Sequence, residues 1–241
     1  MHGHHFNQAK QESKGEYELE TKFPRMGDMS RPGVRLFVLR HGDVSPPPGC
    51  TVYGDLNVPL SELGRRQSKA AAMRLASTPV DAIWSSDLTR AVVLGDELGK
   101  LHPAANRRAD PRLREIHRGH WAGLSTQEIE RSWPGALQRY HASQALLAPP
   151  GGESIAQQAS RVRAALDDVA LQYSGGSVAV CAHLWVLRIV AVTARGQNIE
   201  RVIEHNFDKC AQLEVRWSAN PRRVSWLGCL QTPELDPVPD A

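Results

Sequence analysis

The stretch LFVLRHGDV, residues 36–44, decides how this chain is read. Residues 34–39, VRLFVL, are mostly apolar and β-branched or aromatic, the pattern of a central strand buried on both faces. The run stops abruptly at Arg40, His41 and Gly42. A cation, an imidazole and a residue without a side chain therefore stand where a core strand ends.

Similar transitions recur downstream. VDAIWSS, 80–86, is a second short strand and SVAVCA, 177–182, a third buried one. Helices are expected between them. One follows Ser61, a plausible N-cap, and a second runs to Leu101 from a cap at Ser86 or Asp87. Further helices are expected over 125–132, 136–147, 153–173 and 184–194. Residues 102–124 read as loop, and PPGG at 149–152 as a hard break. CAQLEVRWS and RRVSWLGC are two late strands divided by a turn at 219–221. Strands alternating with helices imply a three-layer α/β/α sandwich with a mainly parallel central sheet. The domain is expected over 34–230, with a disordered tail at 1–33 and a loose one at 231–241.

Composition narrows the function. The 241 residues carry 29 basic and 26 acidic side chains, a net charge of +3 with no basic block. Nucleic acid and membrane surfaces are not indicated as partners, and no apolar run reaches transmembrane length. Cys50, Cys181, Cys210 and Cys229 form no CxxC pair, which suits reduced thiols in a cytoplasmic protein. His2, His4 and His5 belong to the tail rather than to a metal site. The oligomeric state stays open, a homodimer being one option.

In a parallel sheet, ligands bind beyond the carboxyl ends of the strands. Arg40 and His41 follow the first strand, Arg90 lies just past the second, and His183 follows SVAVCA. Two histidines and two arginines should converge on one crevice. Arginine offers a planar fork of donors for phosphate oxygens, and neutral imidazole is a nucleophile near pH 7. That combination suits phosphoryl transfer, whose catalysis is largely positioning and charge stabilisation. Each charge at ~4 Å supplies on the order of 4 kcal/mol before desolvation at an effective dielectric of 20. Gly42 is expected to let the backbone approach a phosphate. Glu115, in RLREIHRGHWAG, is a candidate proton donor.

At these residues the chain resembles the histidine phosphatase superfamily, the phosphoglycerate-mutase-like proteins. LFVLRHG, YGDLNVPLSELGRRQ, SSDLTRA, LREIHRGHWAGLS, PPGGES and VAVCAH occur in the family's order over about residues 34–195. The resemblance implies the phosphoglycerate-mutase-like fold and a phosphatase of a small phosphorylated metabolite, with no metal or cofactor. It implies that His41 attacks phosphorus to give a phosphohistidine, that Arg40, Arg90 and His183 hold the phosphoryl group, and that Glu115 protonates the leaving alcohol. The short span from Glu115 to Gly151 argues against the mutases, which carry an insertion there. The spacing looks most like the α-ribazole phosphatase branch. A phosphotransferase or a weakened binding relative are the alternatives.

Other residues near these motifs carry expectations of their own. Tyr53 is a candidate to line the pocket and contact substrate. His117 and His120 read as solvent-facing, Trp121 as a packing residue, and Glu153 as a cap for the long helix. Departures from the family pattern are Asp43 for Glu after RHG, Pro47 for an Asn, Ala122 in the WEG tripeptide, and Leu184-Trp185 after the second histidine.

Overall fold

The computed structural model of the chain describes residues 33–143 and 146–231. The expected tail at 1–33 with its histidines, and the end at 231–241, lie outside the described residues apart from Gly33 and Gln231.

Strand β1, Val34–Arg40, sits inside a six-stranded sheet of order β3-β2-β4-β1-β5-β6. Strands β2 (Ala82–Ser85), β3 (Asn106–Ala109) and β4 (Ser177–Ala182) form a parallel group with it. Strand β5, Gln212–Ala219, runs antiparallel to both β1 and β6, Arg222–Leu230. The sheet is thus mainly parallel with an antiparallel edge.

The period of two along each strand builds the layers. Leu36 and Val38 of β1, Trp84 of β2 and Val178 and Val180 of β4 enter one core. Helices α5 (Ile155–Gln172) and α6 (Leu184–Ala194) cover that face, through Val162, Leu166, Val186 and Val190 among others. Phe37 and Leu39, Ile83, and Ala179 and Cys181 enter the other. There α1 (Glu62–Met73) and α2 (Thr89–Leu101) bring Ala71, Ala72, Leu94 and Leu98. Each such large side chain contributes about 1.5–3 kcal/mol on burial. Double coverage is why β1 and β4 are near-continuous apolar runs. Two short helices, α3 (Thr126–Ser132) and α4 (Ala136–Ala142), pack on Trp121 as a small third cluster.

Several local expectations need correction. Ser61 caps α1 by accepting from Gly64 N at 3.0 Å, as expected. At α2, however, Leu88 holds the cap position without a side-chain bond. Ser86 accepts from Leu88 N, and Asp87 is committed to Arg114. The cap of α5 is Ser154, in a capping box with Gln157, and Glu153 is not the cap. The segment 102–124 contains the edge strand β3, every residue of which is exposed, so no apolar pattern announced it. Helix α4 stops at Ala142, short of residue 147. The four cysteines are free. No helix among the described residues is long and apolar enough to cross a membrane.

Candidate active site

The parallel register of β1 on β4 pairs Arg40 with Ala182. One residue further, His41 N donates to Ala182 O at 3.1 Å, so His41 and His183 leave the sheet side by side. Their ring centroids lie 5.1 Å apart at an interplanar angle of 62°. His183 is also the N-cap residue of α6. Both rings are buried. His41 Nδ1 lies 2.7 Å from Gly42 O. A carbonyl oxygen only accepts, so the proton sits on Nδ1 and Nε2 keeps its lone pair.

Two arginines flank this pair. Arg40 donates through Nη1 to Phe207 O. Arg90, in the first turn of α2, is fully buried and donates to Leu56 O at 2.6 Å and Gly54 O at 2.7 Å. Its fork thus holds the 53–57 loop, and its Nε stays without a partner, as do Arg40 Nε and both ring nitrogens of His183. These unpartnered buried groups form a donor-rich patch that an anion would complete. Burial, then the Arg90 and Arg40 cations, hold the His41 pKa well below its ordinary value. Burial, then His41 and Arg90, do the same to His183. Both imidazoles are therefore neutral near pH 7.

The room that Gly42 provides goes to another use than the expected one. A Cβ there would stand 2.2 Å from Gly64 O in α1, and a Cβ on Gly64 would stand 1.9 Å from Asp43 O. The two glycines let the motif loop lie directly on the first helix. Asp43 continues this contact: its carboxylate accepts from Ser61 Oγ at 2.8 Å and its N–H donates to Gln67. Lys209 lies 3.7 Å from the same carboxylate. Pro47 is exposed and is not among the cavity-lining residues.

Glu115 is buried on a loop between two 3-10 turns, Pro111–Leu113 and Gly119–Trp121. Charged side chains fix that loop from two directions. Arg114 binds Asp87, just past β2, through bonds of 2.7 and 2.6 Å. Arg161 of α5 donates to the backbone carbonyls of Arg112, Arg114 and Glu115 and also pairs with Glu153. Glu153 accepts from His117 N at 2.9 Å, so it fastens the loop that carries Glu115 to α5 instead of capping the helix. Sequence reasoning missed Arg161; its position on α5 gives no local sign that it faces three carbonyls.

A cavity of about 300 Å³ opens beside Arg40 and Glu115, with Tyr53, Trp121, Tyr140, Leu184 and Trp185 in its walls. Tyr53 does line it, and its ring lies under the Arg90 guanidinium at 5.5 Å. Trp121 is both wall and packing residue. His117 is exposed and meets Asp55 at 3.0 Å, and His120 lies by Trp133. His41, His183 and Arg90 lie outside the cavity lining, in the buried layer described above.

The family model for the histidine phosphatase superfamily, branch 1, matches residues 36–229. The chain belongs to this superfamily. A glucosyl-3-phosphoglycerate phosphatase of Mycobacterium tuberculosis is 42% identical over 133 residues, which cover 54% of this chain and 57% of that protein. The chain therefore matches little more than half the length of that curated relative. A solved mycobacterial glucosyl-3-phosphoglycerate phosphatase superposes with a TM-score of 0.72 at 29% identity, over 82% of this chain and all of the other. The metal-independent phosphoserine phosphatase of Arabidopsis thaliana is 32% identical, over 72% of this chain and 74% of its own. An α-ribazole phosphatase from Shigella flexneri shares the fold, with a TM-score of 0.71 at 18% identity over 83% and 96% of the two chains. Within the superfamily, these relatives are phosphatases.

Proposed function

We propose that this chain hydrolyses a small phosphomonoester through a phosphohistidine on His41. The observation that carries the reading is the His41–His183 pair, 5.1 Å apart, with the His41 Nδ1 proton held by Gly42 O. Nε2 of His41 attacks phosphorus, and the bond from phosphorus to the ester oxygen breaks. Glu115, as the carboxylic acid, gives its proton to that oxygen and the alcohol leaves. The resulting carboxylate takes a proton from water, whose oxygen attacks phosphorus and breaks the P–N bond. Phosphate leaves and His41 returns neutral.

Arg40, Arg90 and His183 stabilise the phosphoryl oxygens through the donors that have no protein partner. Arg90 also holds the 53–57 loop against the site, so its contribution combines charge with anchoring. Tyr53 contacts the substrate from the cavity wall. The names of the relatives support hydrolysis over transfer to a second acceptor.

The test is hydrolysis of 4-nitrophenyl phosphate by the wild type and by His41→Ala, with acid-labile, base-stable label on the wild type after rapid quenching. Loss of both activity and label in the variant is expected. Equal activity in the two proteins would overturn the assignment.

A further inference from the structure

The segment that leads into β5 is fastened to the loop that carries His41. Arg40 N donates to Ala211 O at 2.9 Å, Arg40 Nη1 donates to Phe207 O, and Cys210 N donates to His41 O at 3.3 Å. Cys210 takes a φ of 61°, a left-handed conformation that few residues with a Cβ adopt. Its carbonyl accepts from Arg74 Nη1 at 3.0 Å, so the turn is held from both sides. Lys209 is therefore built into a fixed main chain, immediately before the residue that contacts His41.

Its side chain turns toward the same loop. Nζ stands 3.7 Å from Asp43 Oδ1, and the Lys209 side chain is only 27% exposed. A charge-assisted hydrogen bond measures about 2.8 Å, so this pair is a loose one. The other Asp43 oxygen accepts from Ser61 Oγ. Among the described residues no second carboxylate pairs with Lys209. Burial and then the Arg40 cation lower the Lys209 pKa. In the other direction, Lys209 adds to burial, Arg90 and Arg40 in lowering that of His41. The ammonium is thus within electrostatic reach of both arginines and of the nucleophile. Such a gathering of cations is costly by itself and becomes favourable around a phosphate dianion. An ammonium carries its donors on a flexible stem, so side-chain rotation alone can carry it from Asp43 to a phosphoryl oxygen. Pro47, beyond Asp43 on the same loop, offers no donor to compete for that place.

We propose that Lys209 is a further ligand of the phosphoryl group, reaching it from the β5 side beside Arg40 and Arg90, with Asp43 as its partner between turnovers. This rests on the phosphatase reading above. The experiment measures Ki for inorganic phosphate and kcat/KM for 4-nitrophenyl phosphate in the wild type, Lys209→Met, Lys209→Arg and Asp43→Asn, with thermal unfolding of each. Lys209→Met should raise Ki by about ten- to a hundredfold, the range of a hydrogen bond to a charged group, and lower kcat/KM by a similar factor. Lys209→Arg should fall between it and the wild type. Asp43→Asn keeps an acceptor for Ser61 and releases the ammonium. It should bind phosphate at least as tightly as the wild type, with a gain of up to about fivefold. A Lys209 that only held the loop through Asp43 would give the opposite pattern, with phosphate weakened alike in Lys209→Met and Asp43→Asn. That pattern, or an unchanged Ki in Lys209→Met, would overturn the proposal. If Lys209→Met does not fold, weaker phosphate binding by Asp43→Asn overturns it without that variant. A wild type that does not hydrolyse 4-nitrophenyl phosphate at all would instead overturn the phosphatase reading, and this inference with it.

Discussion

Arg114 grips Asp87 through two N–H···O bonds of 2.7 and 2.6 Å, tying the loop that carries Glu115 to the end of strand β2. Both partners are partly exposed, so the pair adds little to stability, under about 1 kcal/mol. Its effect is on placement. Asp87→Asn should lower kcat for an aryl phosphate by about three- to tenfold with an almost unchanged melting temperature. The hydrogen bond from Arg114 holds the Asp87 pKa below its ordinary value. Its small stabilisation is therefore present above the unfolded carboxylate pKa and lost as pH falls through the lowered folded one. Steady-state kinetics beside thermal unfolding at pH 7 and pH 3 checks both parts.

Arg161 anchors the same loop from the opposite helix. It is a positioning residue, because it meets three carbonyls and Glu153 but not the cavity. Arg161→Met removes its bonds to these carbonyls and its ion pair with Glu153, which keeps only the amide of His117, at a cost of about 2–4 kcal/mol. Denaturant unfolding should register that loss. Arg161→Lys should recover part of kcat, which an effect of side-chain volume alone would not produce.

The two buried imidazoles predict a pH dependence of folding. Each has its pKa lowered in the folded state, mainly by burial. Below the ordinary imidazole value, about 6.5, the unfolded chain takes up protons that the folded one refuses. Stability should thus fall as pH drops from 7 toward 5, and His183→Asn should flatten that slope. Chemical denaturation in phosphate-free buffer across this window measures it; an identical slope in the variant would contradict the assignment.

Gly64→Ala inserts a methyl 1.9 Å from a backbone oxygen of Asp43. Neither side of this contact is a flexible side-chain end, so the motif loop must move. A loss of at least about 2 kcal/mol is expected from equilibrium unfolding, together with reduced turnover. The variant folding as well as wild type would mean that the helix and loop separate freely.

Much of this arrangement was legible because burial writes itself into sequence. β1 and β4 are covered on both faces and read as apolar runs; the charged and imidazole groups just past them stand out by contrast. β3 did not, since NRRA is an exposed, mostly polar edge strand, held to β2 by its backbone and by Arg108 over the Trp84 ring. Glu115 was one of two acids in the 102–124 segment, picked as a candidate proton donor from the chemistry alone and given its role by the resemblance. Helix starts misled where a polar side chain had a tertiary task. Asp87 and Glu153 look like caps, yet each spends its oxygens on an arginine or an amide from another element. Arg161 and Lys209 were invisible for the same reason, as their partners are distant in the chain.

The register that sets Arg40 opposite Ala182 has a consequence for how this chain could change. The separation of His41 and His183 is set by main-chain hydrogen bonds between two core strands, which no side-chain substitution rewrites. Apart from Arg40, the cavity walls come instead from two loops, at 51–54 and 115–121, two small helices and the first turn of α6. Replacing Arg118, Leu184 or Trp185 alters the cavity wall while leaving the two histidines at their spacing. A new substrate is thus reachable by single substitutions that never pass through an intermediate with the two histidines out of register.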